Sequence, residues 1–247
     1  ILWMISIFSS YLMQAYHISW RTDMKRLWFR MAQRMASGAL FPCRIVSQFR
    51  RPEGFGGRLA TRIMNFMNRA QYKQVLKELP LQGRILDIGF GNGKMLQRVL
   101  NKGCRSVYGT EISDSCMTAV EGKLLPSLQK GYLKLAMGRA ESLPYADAYM
   151  DTVYSINTIY FWKTLDMGLH EIARILRPGG TLLLAFYEPS FMSRLPLNEY
   201  GFQLYEPMDV KAALKRNGYT SIEIHVVKKK KSYCIRAKRG DARERGK

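Results

Sequence analysis

The chain has 247 residues, 47% of them apolar, enough for one sizeable core, and its four scattered cysteines form no C-x-x-C pair, which argues against a disulfide framework or a zinc site and fits a reducing compartment. Of the formal net charge of +20, residues 1–83 and 211–247 each hold 13 Lys/Arg against 3 acids, while 84–210 balances at 13 of each. A neutral centre speaks against a nucleic-acid groove along the core, whereas basic ends suit an anionic surface (lipid headgroup or RNA) or simple solubility.

Residues 1–20 carry no formal charge and precede a basic stretch from Arg21 to Arg34. They read either as a signal-anchor oriented by those positive residues or as an extension ahead of Met24 that the fold does not need. Between Met24 and Met35 the residues Met24, Leu27, Trp28, Met31 and Met35 fall at helical spacing, with Lys25, Arg26, Arg30 and Arg34 opposite. Such a helix either lies on an anionic bilayer or packs on its own domain. The expected division is an N-terminal extension over 1–50, one domain over 51–240 and a basic tail over 241–247. The expected location is the cytoplasm, with peripheral or N-terminal membrane association as the alternative.

A helical region is expected from Phe55 to Leu79, closed by Pro80 and Gly83. Short apolar runs then follow at 84–88, 105–110, 133–137, 150–156 and 181–186, with room for helices between them. Buried strands alternating with helices predict a doubly wound α/β fold around a parallel sheet. The end of the chain reads as a helix over 208–217, a strand over 222–227, a Lys-rich turn that is most simply a solvated hairpin tip, and a strand over 233–237.

The chemistry concentrates where the first strand ends, in Asp87-Ile-Gly89-Phe90-Gly91-Asn92-Gly93. Glycines belong where backbone turns sharply and comes close to a ligand, and in such sheets the ligand lies outside the strands' carboxyl ends. Three residues, not four, separate Gly89 from Gly93, and Lys94 stands where a dinucleotide loop needs its third glycine. Asp87 would repel a pyrophosphate but suits a ligand carrying an amino group and a sulfonium. Glu111 ends the second strand, where a carboxylate can accept both hydroxyls of a ribose. Glu141 follows the third strand, where an acid can face an adenine amine.

Three segments, ILDIGFGNG (85–93), GRAESLPY (138–145) with DTVYSINTIYFW (151–162), and ARILRPGGTLLL (173–184), together resemble the class I S-adenosylmethionine-dependent methyltransferases, nearest the type-11 group that includes ubiquinone/menaquinone-biosynthesis enzymes. The resemblance implies a seven-stranded sheet of order 3-2-1-4-5-7-6 with the seventh strand antiparallel. It implies S-adenosylmethionine as cofactor and S-adenosylhomocysteine as product. On that reading Asp87 and the loop residues Gly89, Phe90, Gly91, Asn92 and Gly93 hold the methionine half. Glu111 takes the ribose and Glu141 the adenine, and Ile112 and Ala140 beside them also belong to the cofactor site. Asn157 meets the methionine amino group and the acceptor, and Phe90, where a small residue is usual, is expected to narrow the cleft.

On the acceptor side the candidates are Asn157, Tyr160 and Glu188, the last as a base just beyond the fifth strand. Tyr160 is expected to face the transferred methyl and Phe161 the sheet, because a hydroxyl is costly to bury without a partner. The acceptor expected is a small molecule, with RNA or protein docked through the basic termini as the alternative and a non-catalytic binding protein as a third reading. No metal is expected.

Overall fold

A computed structural model describes residues 65–193 and 203–241. The expectations for the Met24–Met35 helix, for the first 23 residues, for residues 55–64, and for the tail beyond Asp241 lie outside the described residues. Helix α1 (Arg69–Glu78) leads into β1 (Ile85–Ile88), α2 (Lys94–Asn101) and β2 (Val107–Glu111). Two short helices, α3 (Asp114–Lys123) and α4 (Leu125–Gln129), precede β3 (Leu133–Met137) and β4 (Met150–Ile156). A 3-10 turn (Ile159–Phe161) and α5 (Leu165–Ile175) lead to β5 (Leu176–Tyr187), which is followed by α6 (Pro189–Met192), α7 (Pro207–Arg216), β6 (Tyr219–Lys228) and β7 (Ser232–Arg239).

The strands form one sheet in the order β3-β2-β1-β4-β5-β7-β6, parallel except for β7, which runs antiparallel to both β5 and β6. This is the order and direction that the family resemblance implied. Neighbouring side chains on each central strand serve opposite faces. Ile85, Tyr154 and Leu183 pack under α1, α2 and α3 with Val75, Leu96 and Val120. Leu86, Val153 and Leu182 pack under α5 and α7 with Leu169, Ile172 and Leu214. Burial on both faces is what makes the strands read as unbroken apolar runs. Side-chain caps start two of the helices: Ser113 Oγ accepts from Cys116 N, and Thr164 Oγ1 accepts from Met167 N at 3.1 Å.

The structure reverses the two aromatic residues after β4. Tyr160 is buried at 3% exposure, whereas Phe161 is 45% exposed and Trp162 turns inward at 5%. The chain does not continue as an extended strand there. It makes a 3-10 turn with three residues per turn, which brings Ile159 and Trp162 to the same side. The Trp162 ring closes over Gly168, where a Cβ would stand 2.4 Å from Cε3, and its Nε1 donates to Thr158 Oγ1 at 3.2 Å. The burial penalty on Tyr160 is avoided because its hydroxyl finds a partner in the backbone of Tyr187.

Trp162→Ala should therefore cost about 3–5 kcal/mol of stability as a large-to-small core change, and Phe161→Ala less than about 1 kcal/mol. Denaturant unfolding of both variants checks this; a costlier loss at Phe161 would return that ring to the core.

Candidate functional site

The order of strands reverses between β1 and β4, and the chain leaves both strands into the crevice so formed. Three features of the glycine loop build its floor. At Gly89 the backbone is left-handed (φ +72°), and a Cβ would lie 2.5 Å from Thr158 Cγ2, so the loop packs on the chain leaving β4. At Gly91 (φ +51°) a Cβ would meet nothing within 4 Å, so the side chain missing there opens onto free space. Phe90, between them, does not narrow the cleft. It is 6% exposed and turned into the core, its Cδ1 2.7 Å from where Gly109 would carry a Cβ, because the small residue on β2 leaves a hole that the ring fills.

Glu111 is held by three backbone donors. Gly91 N donates to one carboxyl oxygen at 2.9 Å, and Ile112 N and Ser113 N donate to the other at 2.8 and 3.2 Å. The carboxylate is thus oriented beforehand, and the oxygen bonded to Gly91 N keeps acceptor capacity for a hydroxyl. Ile112 beside it is 51% exposed, an apolar surface at the crevice rim, and Ala140 is buried. Glu141 accepts from Lys163 N and so ties the loop after β3 to the chain after β4. The same loop is clamped from α5: Glu171 accepts from Leu143 N at 2.7 Å, while Arg174 bonds Glu171, Asp147 and the Leu143 and Tyr145 carbonyls. Arg174 beside Glu171 holds that carboxyl below its ordinary range.

Asp87 is the electrostatic centre of the site. It is buried at 3% exposure, and burial, with a smaller push from Glu111, raises its pKa to about 8 against the stabilising Tyr154 hydroxyl. That hydroxyl lies beside the carboxyl without reaching full hydrogen-bond geometry to any group. A buried carboxyl with no cation beside it among the described residues, in the strand that leads to the open space at Gly91, fits a positively charged ligand such as an amino acid sulfonium.

Asn157 stands just past β4 with φ +59°. Its side chain is fully engaged: Oδ1 accepts from Gln71 Nε2 at 3.0 Å, and Nδ2 donates to Gln71 Oε1 at 2.8 Å and Asn68 Oδ1 at 3.0 Å. Asn68 Oδ1 also accepts from Tyr187 Oη at 2.8 Å. Asn65 Oδ1 accepts from Asn92 Nδ2 at 3.2 Å and from Tyr72 Oη at 3.3 Å. These amides of α1 and of the residues before it span the ends of β1, β4 and β5, and the reading of the sequence missed them. The one signal was Gln71, a polar residue on the apolar stripe of α1 with Tyr72 and Val75.

Glu188 N donates to Lys231 O at 2.9 Å, and its Oε2 is buried without a hydrogen-bond partner. The Lys-rich turn is only partly solvated: Lys231 is half-buried, its Nζ 4.5 Å from the centroid of the Phe191 ring. Among the described residues no group of three His, Cys, Asp or Glu is placed to hold a metal, and no helix is long and apolar enough to cross a membrane.

Two measurements test this cradle. Gly91→Val should fold and fail to bind S-adenosylmethionine, since the branched side chain would enter space that no protein atom uses; retained affinity would remove the loop from the site. Asp87 predicts a proton linkage. Its raised pKa keeps it protonated at pH 7 in the free protein, and a bound cation favours the carboxylate. Cofactor binding should then release a proton below about pH 8 and tighten as pH rises towards that value. Calorimetry at pH 7 should give an enthalpy that varies with the buffer's own ionisation enthalpy, and at pH 9 one that does not. Buffer-independence at both pH values would mean that Asp87 is already ionised.

Residues 86–184 match the family model described as a methyltransferase domain. The O-methyltransferase resE of Aspergillus sclerotiorum is 32% identical over 101 residues, which cover 41% of this chain and 38% of that protein. The uncharacterised methyltransferase YdaC of Bacillus subtilis is 28% identical over 158 residues, 63% of this chain and 82% of the relative. Among solved structures, the complex of the Haloferax volcanii Trm112 methyltransferase activator with a putative methyltransferase aligns at TM-score 0.63 and 19% identity, over 73% of this chain and 93% of the matched one. The chain spans well under half of resE and most of YdaC, and the family model covers the segment from the glycine loop into β5. That segment is an S-adenosylmethionine-dependent methyltransferase domain.

Proposed function

We propose that the protein transfers the methyl group of S-adenosylmethionine to a small-molecule acceptor by in-line displacement, leaving S-adenosylhomocysteine. The observation that carries the acceptor class is the cover over the crevice. Asn65, Asn68 and Gln71 bond across to Asn92, Asn157 and Tyr187, so a helix overlies the ends of three strands where a macromolecular substrate would need an open groove. The charge distribution agrees, since the stretch 84–210 that bears the site is neutral.

The cofactor, when bound, supplies a methyl group already activated on sulfur. The protein's part is placement, which is worth up to about 7–11 kcal/mol when reacting atoms are held in line. Asp87 balances the ligand's positive charge, and Glu111 orients the ribose through its hydroxyls. Glu141 and Ile112 border the adenine end. Glu188, with one carboxyl oxygen buried and unpartnered, is the group to accept a proton from an acceptor hydroxyl as it is methylated. An anionic surface met by the basic termini belongs to the same proposal.

Purified protein incubated with methyl-labelled cofactor and an extract of its host should place label in the low-molecular-weight fraction. Label in RNA or protein instead would overturn the small-molecule reading. In the first case Glu188→Gln should lower turnover by about 10²-fold or more with cofactor affinity kept, within the range of a general base; unchanged turnover would exclude Glu188 from that role.

A further inference from the structure

The β4–β5 ladder ends one step early, and a side chain finishes it. Ile156 pairs with Ala185, and the last regular rung runs from Asn157 N to Ala185 O at 2.8 Å. In a parallel ladder the next rung would carry Tyr187 N to the Asn157 carbonyl, and Tyr187 O would accept from residue 159. Neither bond is made that way. Asn157 turns into the left-handed region at φ +59°, and the chain leaves the strand for the 3-10 turn. The Tyr160 hydroxyl occupies the vacated positions. It accepts from Tyr187 N and reaches Tyr187 O at 3.3 Å, at 3% exposure. One phenol group thus stands in for two backbone groups of β4.

The consequence falls on Asn157. Its side-chain amide is spent on Gln71 and Asn68, with the Tyr160 hydroxyl also donating to its Oδ1 at 3.5 Å, and its N–H on Ala185. With Tyr187 N satisfied by the phenol, the carbonyl of Asn157 is the group left for a ligand, at the carboxyl end of β4 beside the switch point. We propose that Tyr160 is a positioning residue for the cofactor: by completing the β4–β5 ladder in place of the chain, it releases the Asn157 carbonyl to accept a hydrogen bond from the cofactor's amino group. This rests on the reading of the crevice as the S-adenosylmethionine site, and it assigns Tyr160 no contact with the reacting atoms.

The test compares Tyr160→Phe with Tyr219→Phe. Tyr219 is also a buried tyrosine, its hydroxyl donating to Leu169 O at 2.9 Å away from the crevice, so it reports the cost of losing a buried phenol bond alone. Two ligands are titrated by calorimetry on each full-length protein. S-adenosylhomocysteine carries the amino group; 5′-methylthioadenosine keeps the nucleoside and sulfur but has no amino acid. Wild type binding S-adenosylhomocysteine upholds the cofactor reading, and failure to bind would end that reading and the proposal with it. Given binding, Tyr160→Phe should weaken S-adenosylhomocysteine about tenfold or more and leave 5′-methylthioadenosine within about twofold, while Tyr219→Phe changes neither. Equal weakening of both ligands in Tyr160→Phe would mean general loosening of the site, and unchanged affinity would mean that the carbonyl is not the amino group's partner. Either result overturns the proposal without touching the cofactor assignment.

Discussion

The pairing of β1 with β4 organises the molecule. These strands run parallel with Asp87 opposite Tyr154, yet they belong to halves of the sheet that grow in opposite directions. The loops that leave them part, and a crevice opens where backbone polar groups emerge from a sheet covered on both faces. A carboxyl in that pairing cannot be hydrated from either side, so its charge depends on what enters from the crevice. The glycine loop, the tie from Gly91 to Glu111 and the helix across the top all serve that one opening.

Neutral amides carry most of the enclosure. A charged residue in Gln71's position would need a buried counter-charge, whereas the paired amides of Gln71 and Asn157 satisfy each other's donors and acceptors. Charge is kept for the two acids at the ends of β1 and β2 and for the clamp at Arg174, where a partly exposed guanidinium collects carbonyls of the loop after β3. The division is physical: amides set geometry cheaply in a dry place, and ions work where water or a ligand can answer them.

The sheet was legible in the amino-acid sequence because each central strand is buried on both faces and reads as a short apolar run. The crevice was legible because glycines and acids gathered at successive strand ends mark where a ligand meets such a sheet. Ile85–Ile88 and Met150–Ile156 lie within a residue of the runs that announce them. What could not be read is tertiary. Asn68 looks like an ordinary polar residue, and Gln71 is only a polar interruption of an apolar stripe, until Asn157, 86 positions beyond Gln71, is laid against them. The orientation of Tyr160 failed for a sharper reason. A buried hydroxyl is costly only without a partner, and a ladder cut short at Asn157 leaves a spare N–H at Tyr187 that no pattern of residues announces. Phe90 misled in a similar way, because the hole it fills is made by Gly109 on another strand.

The bond from Tyr187 to Asn68 joins residues 119 positions apart and crosses the whole catalytic half of the fold. During synthesis, the helix that covers the crevice leaves the ribosome early, while its anchor on β5 is still unmade. At elongation rates of roughly 5–20 residues per second, Asn68 waits several seconds before Tyr187 appears. The helix's apolar stripe of Tyr72, Val75 and Leu79 must be sheltered elsewhere in that interval, by the strands already made or by a chaperone. The helix that encloses the finished site is thus made well before the strand that anchors it.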